Sequence, residues 1–346
     1  MAHMMKSVAV LAPGVVKLVH NVPIPEPEDY EALVRIRACG FCNGTDLQII
    51  NATLPAHEGM QPLPTLLGHE AAGEVVAVGK KARNIKVGDR FLHPNLRMDP
   101  GNGYTRAYGG LSDYGLVADH PAMIEDGYTG PLPFYKKFHR IPDGFDFVDA
   151  GVVLSLCESM SAARNFGAGP GKRIVVYGAG PMGLALMKYM RLLGADEIVA
   201  VDRDPARLDR AAALCGLDRT VNNAEESVTD ALGGGKYDIV VDAAGFSEIL
   251  LEGSRLLKPF GRVCSMGVLK RGDTNIDVTR LQNNTLFQLL NLPYGEYDLM
   301  EENFALMAEG KINPKDFYSH VMPREEIHEC IRLVKERKAL KVILTI

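Results

Sequence analysis

A chain of 346 residues with 47% hydrophobic and 23% charged side chains is long enough for about two globular domains and has no compositional mark of disorder. Its formal net charge of -5, without any polybasic run, excludes a general electrostatic attraction to nucleic acid or to an anionic membrane and leaves small molecules as the expected partners. The six cysteines (Cys39, Cys42, Cys157, Cys215, Cys264 and Cys330) are too scattered for a disulfide framework and imply reduced thiols and a cytoplasmic address.

Taken in order, Met1-Ala2-His3-Met4 reads as an expression scar, and the apolar run Val8-Ala9-Val10-Leu11 behind it is too short for a signal or membrane segment. That run, Val15-Val16-Lys17-Leu18-Val19 and Glu31-Ala32-Leu33-Val34-Arg35-Ile36-Arg37 predict short strands separated by Pro and Gly. Residues 71–78 and Gly88-Asp89-Arg90-Phe91 continue this β-rich character. Residues 93–110, rich in Gly, Asn, Pro and Arg, read as a long surface excursion. From Asp149 the periodicity becomes helical, and strand and helix then alternate to about residue 292, which predicts a parallel sheet covered on both faces. Ile327, Ile331 and Val334 at helical spacing and a strand over 341–346 close the chain.

The most informative stretch is 174–202. Ile174-Val175-Val176-Tyr177 leads into Gly178-Ala179-Gly180-Pro181-Met182-Gly183, then a helical segment, then Ile198-Val199-Ala200-Val201-Asp202. Strand, glycine turn, helix, strand and acid is the order that holds a dinucleotide. Gly178 allows the tight turn, Gly180 lets backbone approach a pyrophosphate, and Gly183 lets the helix pack on the strand, with the phosphates at the positive end of the helix dipole. Asp202 is placed to accept hydrogen bonds from the adenosine ribose, and its charge favours NAD over NADP; Arg203 and Arg207 are cations that could instead pair with a 2′-phosphate. The helix has Gly194 at its end, and Asp204-Pro205 and Gly216 are start and stop signals for the next.

A nicotinamide needs a group beside it that activates the substrate. Cys42, in Cys39-Gly40-Phe41-Cys42-Asn43-Gly44-Thr45-Asp46, and His69, in Gly68-His69-Glu70, are zinc-ligand types, and Glu158 lies in Cys157-Glu158-Ser159-Met160-Ser161. Each alone reads better as a buried cysteine, a core histidine or an exposed helix charge, and only jointly do they point to a metal. Together with Val87-Gly88-Asp89-Arg90 and the glycine turn, these motifs make nearly the whole chain similar to the medium-chain zinc-dependent alcohol dehydrogenase family, with Glu158-Ser159-Met160-Ser161 resembling the Glu-Pro-Leu-Ser of its sorbitol dehydrogenase branch.

The resemblance implies an α/β protein with a GroES-like β-rich catalytic domain over 1–155 and 295–346 and an inserted Rossmann domain, a doubly wound parallel sheet, over 156–294. It implies Cys42, His69 and Glu158 as ligands of one catalytic zinc, with Cys157 the competing third ligand, Glu70 as a carboxylate able to approach the metal, and Asp46 as the partner that orients His69. Thr45 would take the alcohol proton as hydride passes to NAD. No cysteine lies between Cys42 and Cys157, so the family's structural zinc is not expected. Two features depart from the family: Thr45 stands three residues after Cys42 instead of two, and Gln48 occupies the place of a relay histidine. The implied activity is oxidation of a secondary alcohol or reduction of its ketone, with a polyol, sugar or cyclitol as substrate, by a homodimer or homotetramer. Arg97, Arg106, Lys136, Lys137 and Arg140 are loop cations that could meet a substrate anion or serve as solvated surface charges. The competing readings are a zinc-free quinone or enoyl reductase on the same fold and a non-catalytic nucleotide sensor.

Overall fold

The computed structural model describes residues 3–54, 60–132, 139–266, 273, 275–282, 284–290 and 293–346. The chain forms two compact units, one of residues 1–154 with 300–346 and one of residues 155–299.

In the first unit the alternating apolar runs near the N-terminus become β1 (Met4–Ala12), β2 (Val15–Pro23) and β3 (Glu31–Phe41). They are followed by α1 (Thr45–Ile50), β4 (Thr65–Leu66), β5 (Glu70–Val78), β6 (Arg90–Leu92), β7 (Thr105–Arg106), β8 (Tyr114–Ala118), α2 (His120–Glu125) and α3 (Phe147–Ala150). The C-terminal return adds α9 (Met300–Ala308), β15 (His320–Pro323), α10 (Ile327–Lys335) and β16 (Val342–Thr345). One sheet has the order β2-β1-β4-β7, and the other runs β15-β16-β3-β5-β6 with β8 also paired to β3. Between them Val8, Val10, Ile36, Phe41, Ile49, Ile50, Leu67 and Leu111 pack against Ile327, Ile331 and Val334 of α10, a helix whose apolar stripe is buried.

Residues 93–110 depart from the surface excursion that their composition predicts. Leu96, Tyr104 and Ala107 are buried, and the backbone of Ala107 donates to Leu66, because these apolar side chains need cover that β4 and β1 supply. Composition rich in Gly and Asn marks the turns of this segment and hides its anchors.

The second unit is doubly wound. Helix α4 (Val153–Asn165) leads into β9 (Arg173–Tyr177), and α5 (Pro181–Leu192), β10 (Glu197–Asp202), α6 (Pro205–Cys215), β11 (Arg219–Asn222), α7 (Val228–Leu232), β12 (Tyr237–Asp242), α8 (Ser247–Ser254), β13 (Leu257–Ser265) and β14 (Leu286–Leu289) follow. All neighbours pair in parallel, in the order β11-β10-β9-β12-β13-β14. Counted from β9 that is 3-2-1-4-5-6, so the direction of winding reverses beside β9, where such sheets bind nucleotides. The expected stop and start signals are in place: Gly194 has φ +88°, Asp204 caps α6 through Ala206 N–H, and Gly216 ends α6 in the left-handed conformation. The strand expected over 285–292 is β14, with residues 291 and 292 outside the described residues. No helix among the described residues is long and apolar enough to cross a membrane.

Candidate active site

In the first unit the register of one sheet assembles a cluster from three distant parts of the chain. Gly40 of β3 pairs with Glu70 of β5 on one side and Ile343 of β16 on the other, both antiparallel. Cys42, just beyond the end of β3, is therefore brought to the same end of the sheet as His69, just before β5, and Lys341, just before β16. The ligand atoms of Cys42, His69 and Glu70 all lie within 4.8 Å of one another.

Asp46, fully buried in the first turn of α1, fixes two of these residues. Its Oδ2 accepts from the backbone N–H of Cys42 at 2.9 Å, and its Oδ1 lies 3.3 Å from Nδ1 of His69. Nε2 of His69, on the other side of the ring, is 3.9 Å from Oε1 of Glu70. A carboxylate at one ring nitrogen with the other turned to a sulfur and an oxygen donor is how proteins orient a metal-binding histidine. Burial works against a charged His69 imidazole, but the Asp46 carboxylate and the Cys42 sulfur outweigh it and hold its pKa well above the usual value. The cluster is thus a buried place that favours positive charge. Oδ1 of Asp46 and Nδ1 of His69 are buried facing each other, which leaves Nε2 of His69, the Cys42 sulfur and the Glu70 carboxylate as the donors of the cluster. Sulfur, imidazole and carboxylate donors in this arrangement fit zinc.

Glu70 is also held by Lys341, whose Nζ lies 2.7 Å from Oε1 and 2.6 Å from Oε2, with both side chains buried. Gly40 makes room for this pair: a Cβ there would lie 2.5 Å from Oε2 of Glu70 and 2.2 Å from the Gly151 carbonyl oxygen. The additional residue between Cys42 and Thr45 is absorbed by a turn in which Asn43 reaches the Leu340 carbonyl at 2.9 Å and the Thr45 N–H points at the Cys42 sulfur at 3.4 Å. Thr45, half-buried, opens α1 beside the cluster, and Gln48 lies one turn further on the same helix.

Lys341, His93 and Tyr108 were not indicated by any local motif. Nδ1 of His93 lies 3.0 Å from the His69 carbonyl oxygen, and the Tyr108 ring is 5.3 Å from that of His69. Both adopt positive φ, +56° and +75°, a costly conformation for these residues that recurs at functional sites. That strain is a property of the fold with no sequence signal besides the Gly109-Gly110 that follows Tyr108.

In the second unit, Gly178 turns the chain out of β9 with φ +101°, and Pro181 opens α5 with Gly180 as its cap. A Cβ on Gly183 would lie 1.8 Å from the Gly178 carbonyl oxygen, so only glycine lets α5 come this close to the turn. Met182 follows Pro181 in the first turn, its carbonyl 3.5 Å from the Ser159 hydroxyl. The Asp202 carboxylate, at the end of β10, accepts from Ala179 N–H at 2.7 Å and Asp204 N–H at 3.0 Å, which ties it to the glycine turn. Arg203 is exposed. Arg207 is half-buried over the turn, with its guanidinium nitrogen 3.8 Å from where a Gly180 Cβ would be, because α6 packs back against α5. Glu158 is half-buried on α4 and Cys157 beside it is fully buried, where burial, then the charges of Glu158 and Glu296, raise the thiol pKa well above its usual value.

Residues 28–125 match the model of the alcohol dehydrogenase GroES-like domain, and residues 181–305 match that of the zinc-binding dehydrogenases. The chain is 28% identical to the "Probable D-xylulose reductase A" of Aspergillus clavatus, over 93% of this chain and 91% of that one. It is 26% identical to the sorbitol dehydrogenase of Bombyx mori, over 94% of each. Among solved structures, the 2R,3R-butanediol dehydrogenase of Bacillus subtilis shares the fold with a TM-score of 0.79 over 99% of both chains at 21% identity. The match to both family models in order, along with near full-length relatives, places the chain in the zinc-type medium-chain alcohol dehydrogenase family, in its polyol dehydrogenase-like branch.

Proposed function

We propose that this protein is a zinc-dependent, NAD-linked dehydrogenase that interconverts a secondary alcohol and its ketone, with a polyol, sugar or cyclitol as substrate. The observation that carries the reading is the convergence of Cys42, His69 and Glu70 under the control of Asp46 in the same chain as a complete dinucleotide turn. Cys42 and His69 would hold the zinc together with Glu158, the carboxylate that the family resemblance assigns, while Glu70 supplies a further oxygen donor that Lys341 restrains. A bound zinc would supply Lewis acidity towards the substrate oxygen.

The chain's own residues do the rest. Asp46 sets the orientation of Cys42 and His69 and so the direction of their donor atoms. Thr45 is the group with a hydroxyl at the mouth of α1 that can accept the alcohol proton, and because Gln48 does not titrate, the proton passes from Thr45 to water. The Gly178–Gly183 turn, through its backbone and the start of α5, holds the pyrophosphate. Asp202 favours the unphosphorylated ribose of NAD; Arg207, close over Gly180, serves the pyrophosphate better than a 2′-phosphate. One zinc per chain follows from the absence of any cysteine between Cys42 and Cys157.

A homodimer is supported by β14, an edge strand that exposes Leu286, Phe287 and Leu289, the kind of apolar edge that a second copy covers. The reading is tested by incubating zinc-loaded protein and NAD with a panel of pentitols, hexitols, cyclitols and sugar phosphates and following NADH absorbance. Turnover of at least one secondary alcohol is expected; no turnover of any alcohol or ketone, with zinc and NAD(H) shown to be bound, would favour the sensor reading.

A further inference from the structure

The loop cations singled out in the sequence have different fates. Arg97 is engaged by Glu28 at 3.4 Å and by Glu31, and Arg140 by Asp89 at 2.9 Å, while Lys136 and Lys137 lie outside the described residues. Arg106, the last residue of β7, is half-buried and makes no ion pair among the described residues. One of its nitrogens donates to the amide oxygen of Asn95, and its Nε is buried with no hydrogen-bond partner among the described residues. A guanidinium offers five donors in a rigid fork, and taking it out of water beside a single neutral acceptor is costly. Burial accordingly pushes its pKa below the usual value, against a smaller opposing effect of Tyr108.

Its position gives this arginine a use. Strand β7 runs parallel to β4, with Arg106 opposite Leu66, and β4 leads through Gly68 to His69. Two residues beyond Arg106, Tyr108 packs its ring on His69 in a strained backbone conformation, and Gly110 N–H closes onto the Gly68 carbonyl at 2.7 Å. Arg106 is thus tied to the Cys42–His69 cluster twice over, by its pairing with Leu66 three residues before His69 and by Tyr108, two residues on, whose ring lies against that of His69.

We propose that Arg106 anchors an anionic group on the substrate, so that the alcohol taken by this site carries a carboxylate or a phosphate remote from the reacting carbon. This rests on the dehydrogenase reading above and narrows its substrate class from neutral polyols to sugar acids or sugar phosphates. Thr45 and the zinc-ligand cluster meet the hydroxyl, Tyr108 packs along the carbon chain, and the guanidinium fork receives the anion with charge-assisted hydrogen bonds.

The test is direct binding by calorimetry to the zinc-loaded full chain, using a hexitol, the matching hexonate and the hexitol phosphate. At least one of the two anions should bind about tenfold or more tightly than the hexitol, and which one does so distinguishes carboxylate from phosphate. Arg106→Met should bring that ratio down to about one and Arg106→Lys should keep part of it, with zinc content and melting temperature recorded for each. Equal binding of all three probes to the wild-type chain, or a preference that survives in Arg106→Met, would overturn the proposal. The wild-type comparison decides even if the Met variant does not fold. Because binding is measured and not turnover, failure of the dehydrogenase reading shows separately, as absence of NADH formation in the panel.

Discussion

The metal cluster of one unit and the nucleotide turn of the other are built by different means. The nucleotide turn occupies one continuous stretch, from β9 through Gly178, Gly180 and Gly183 to Asp202, and each contact spans a short distance in sequence, such as Ala179 to Asp202 over 23 residues. The metal cluster is non-local: Lys341 meets Glu70 across 271 residues, and Cys42 meets His69 and Glu70 only because β3 lies beside β5 in the sheet. A damaged turn should therefore weaken one ligand and leave the unit standing, whereas damage to the cluster should also loosen the sheet end that forms it.

The sharpest break is Cys42→Ser. It removes the sulfur donor, and zinc measured by mass spectrometry should fall well below one per chain, with turnover reduced about a thousandfold or more. A variant that kept full zinc would remove Cys42 from the ligand set. Next is Lys341→Met, which leaves the Glu70 carboxylate buried without its cation. Denaturant unfolding of zinc-free protein should show a loss of about 3–5 kcal/mol, and zinc should recover part of it by giving Glu70 another cation. If the loss is unaffected by zinc, Glu70 does not approach the metal.

Thr45→Val keeps the shape of the side chain and removes the hydroxyl. Turnover should fall by about a hundredfold with zinc content unchanged, and near wild-type turnover would move the proton path away from Thr45. The smallest effect belongs to the nucleotide half. Asp202→Ser removes the charge that disfavours a 2′-phosphate and should shift the NADH to NADPH affinity ratio by about tenfold towards NADPH, with zinc and stability little changed. Wild-type protein that already binds NADPH more tightly would assign Arg203 and Arg207 the opposite role.

The same contrast explains what could be read from the chain in advance. The α/β class and the doubly wound sheet were legible because strand, glycine turn, capped helix and acid follow one another in sequence, and the structure reproduces the caps at Asp204 and Gly216. Cys42, His69, Glu70 and Asp46 could be singled out by residue type and motif. Lys341, His93 and Tyr108 could not, because pairing register and a strained backbone bring them to His69 and Glu70 without any local pattern. Residues 93–110 misled for a related reason: Gly and Asn at their turns outnumber the few side chains, Leu96, Tyr104 and Ala107, that fasten them to the core. Arg106 is the clearest instance, indistinguishable from Arg97 and Arg140 in sequence and set apart only by having no counter-charge among the described residues.

The central claim is that zinc at the Cys42–His69 cluster and the nicotinamide held by the glycine turn act together on an alcohol. It is tested most directly by stripping the protein with a chelator, measuring metal and NADH formation on the same sample, and adding zinc back. The account predicts one zinc per chain before stripping, loss of turnover in proportion to zinc removed, unchanged NADH binding, and recovery on zinc return. Full turnover in the stripped protein would contradict it and would assign the chain instead to metal-free reduction on the same fold.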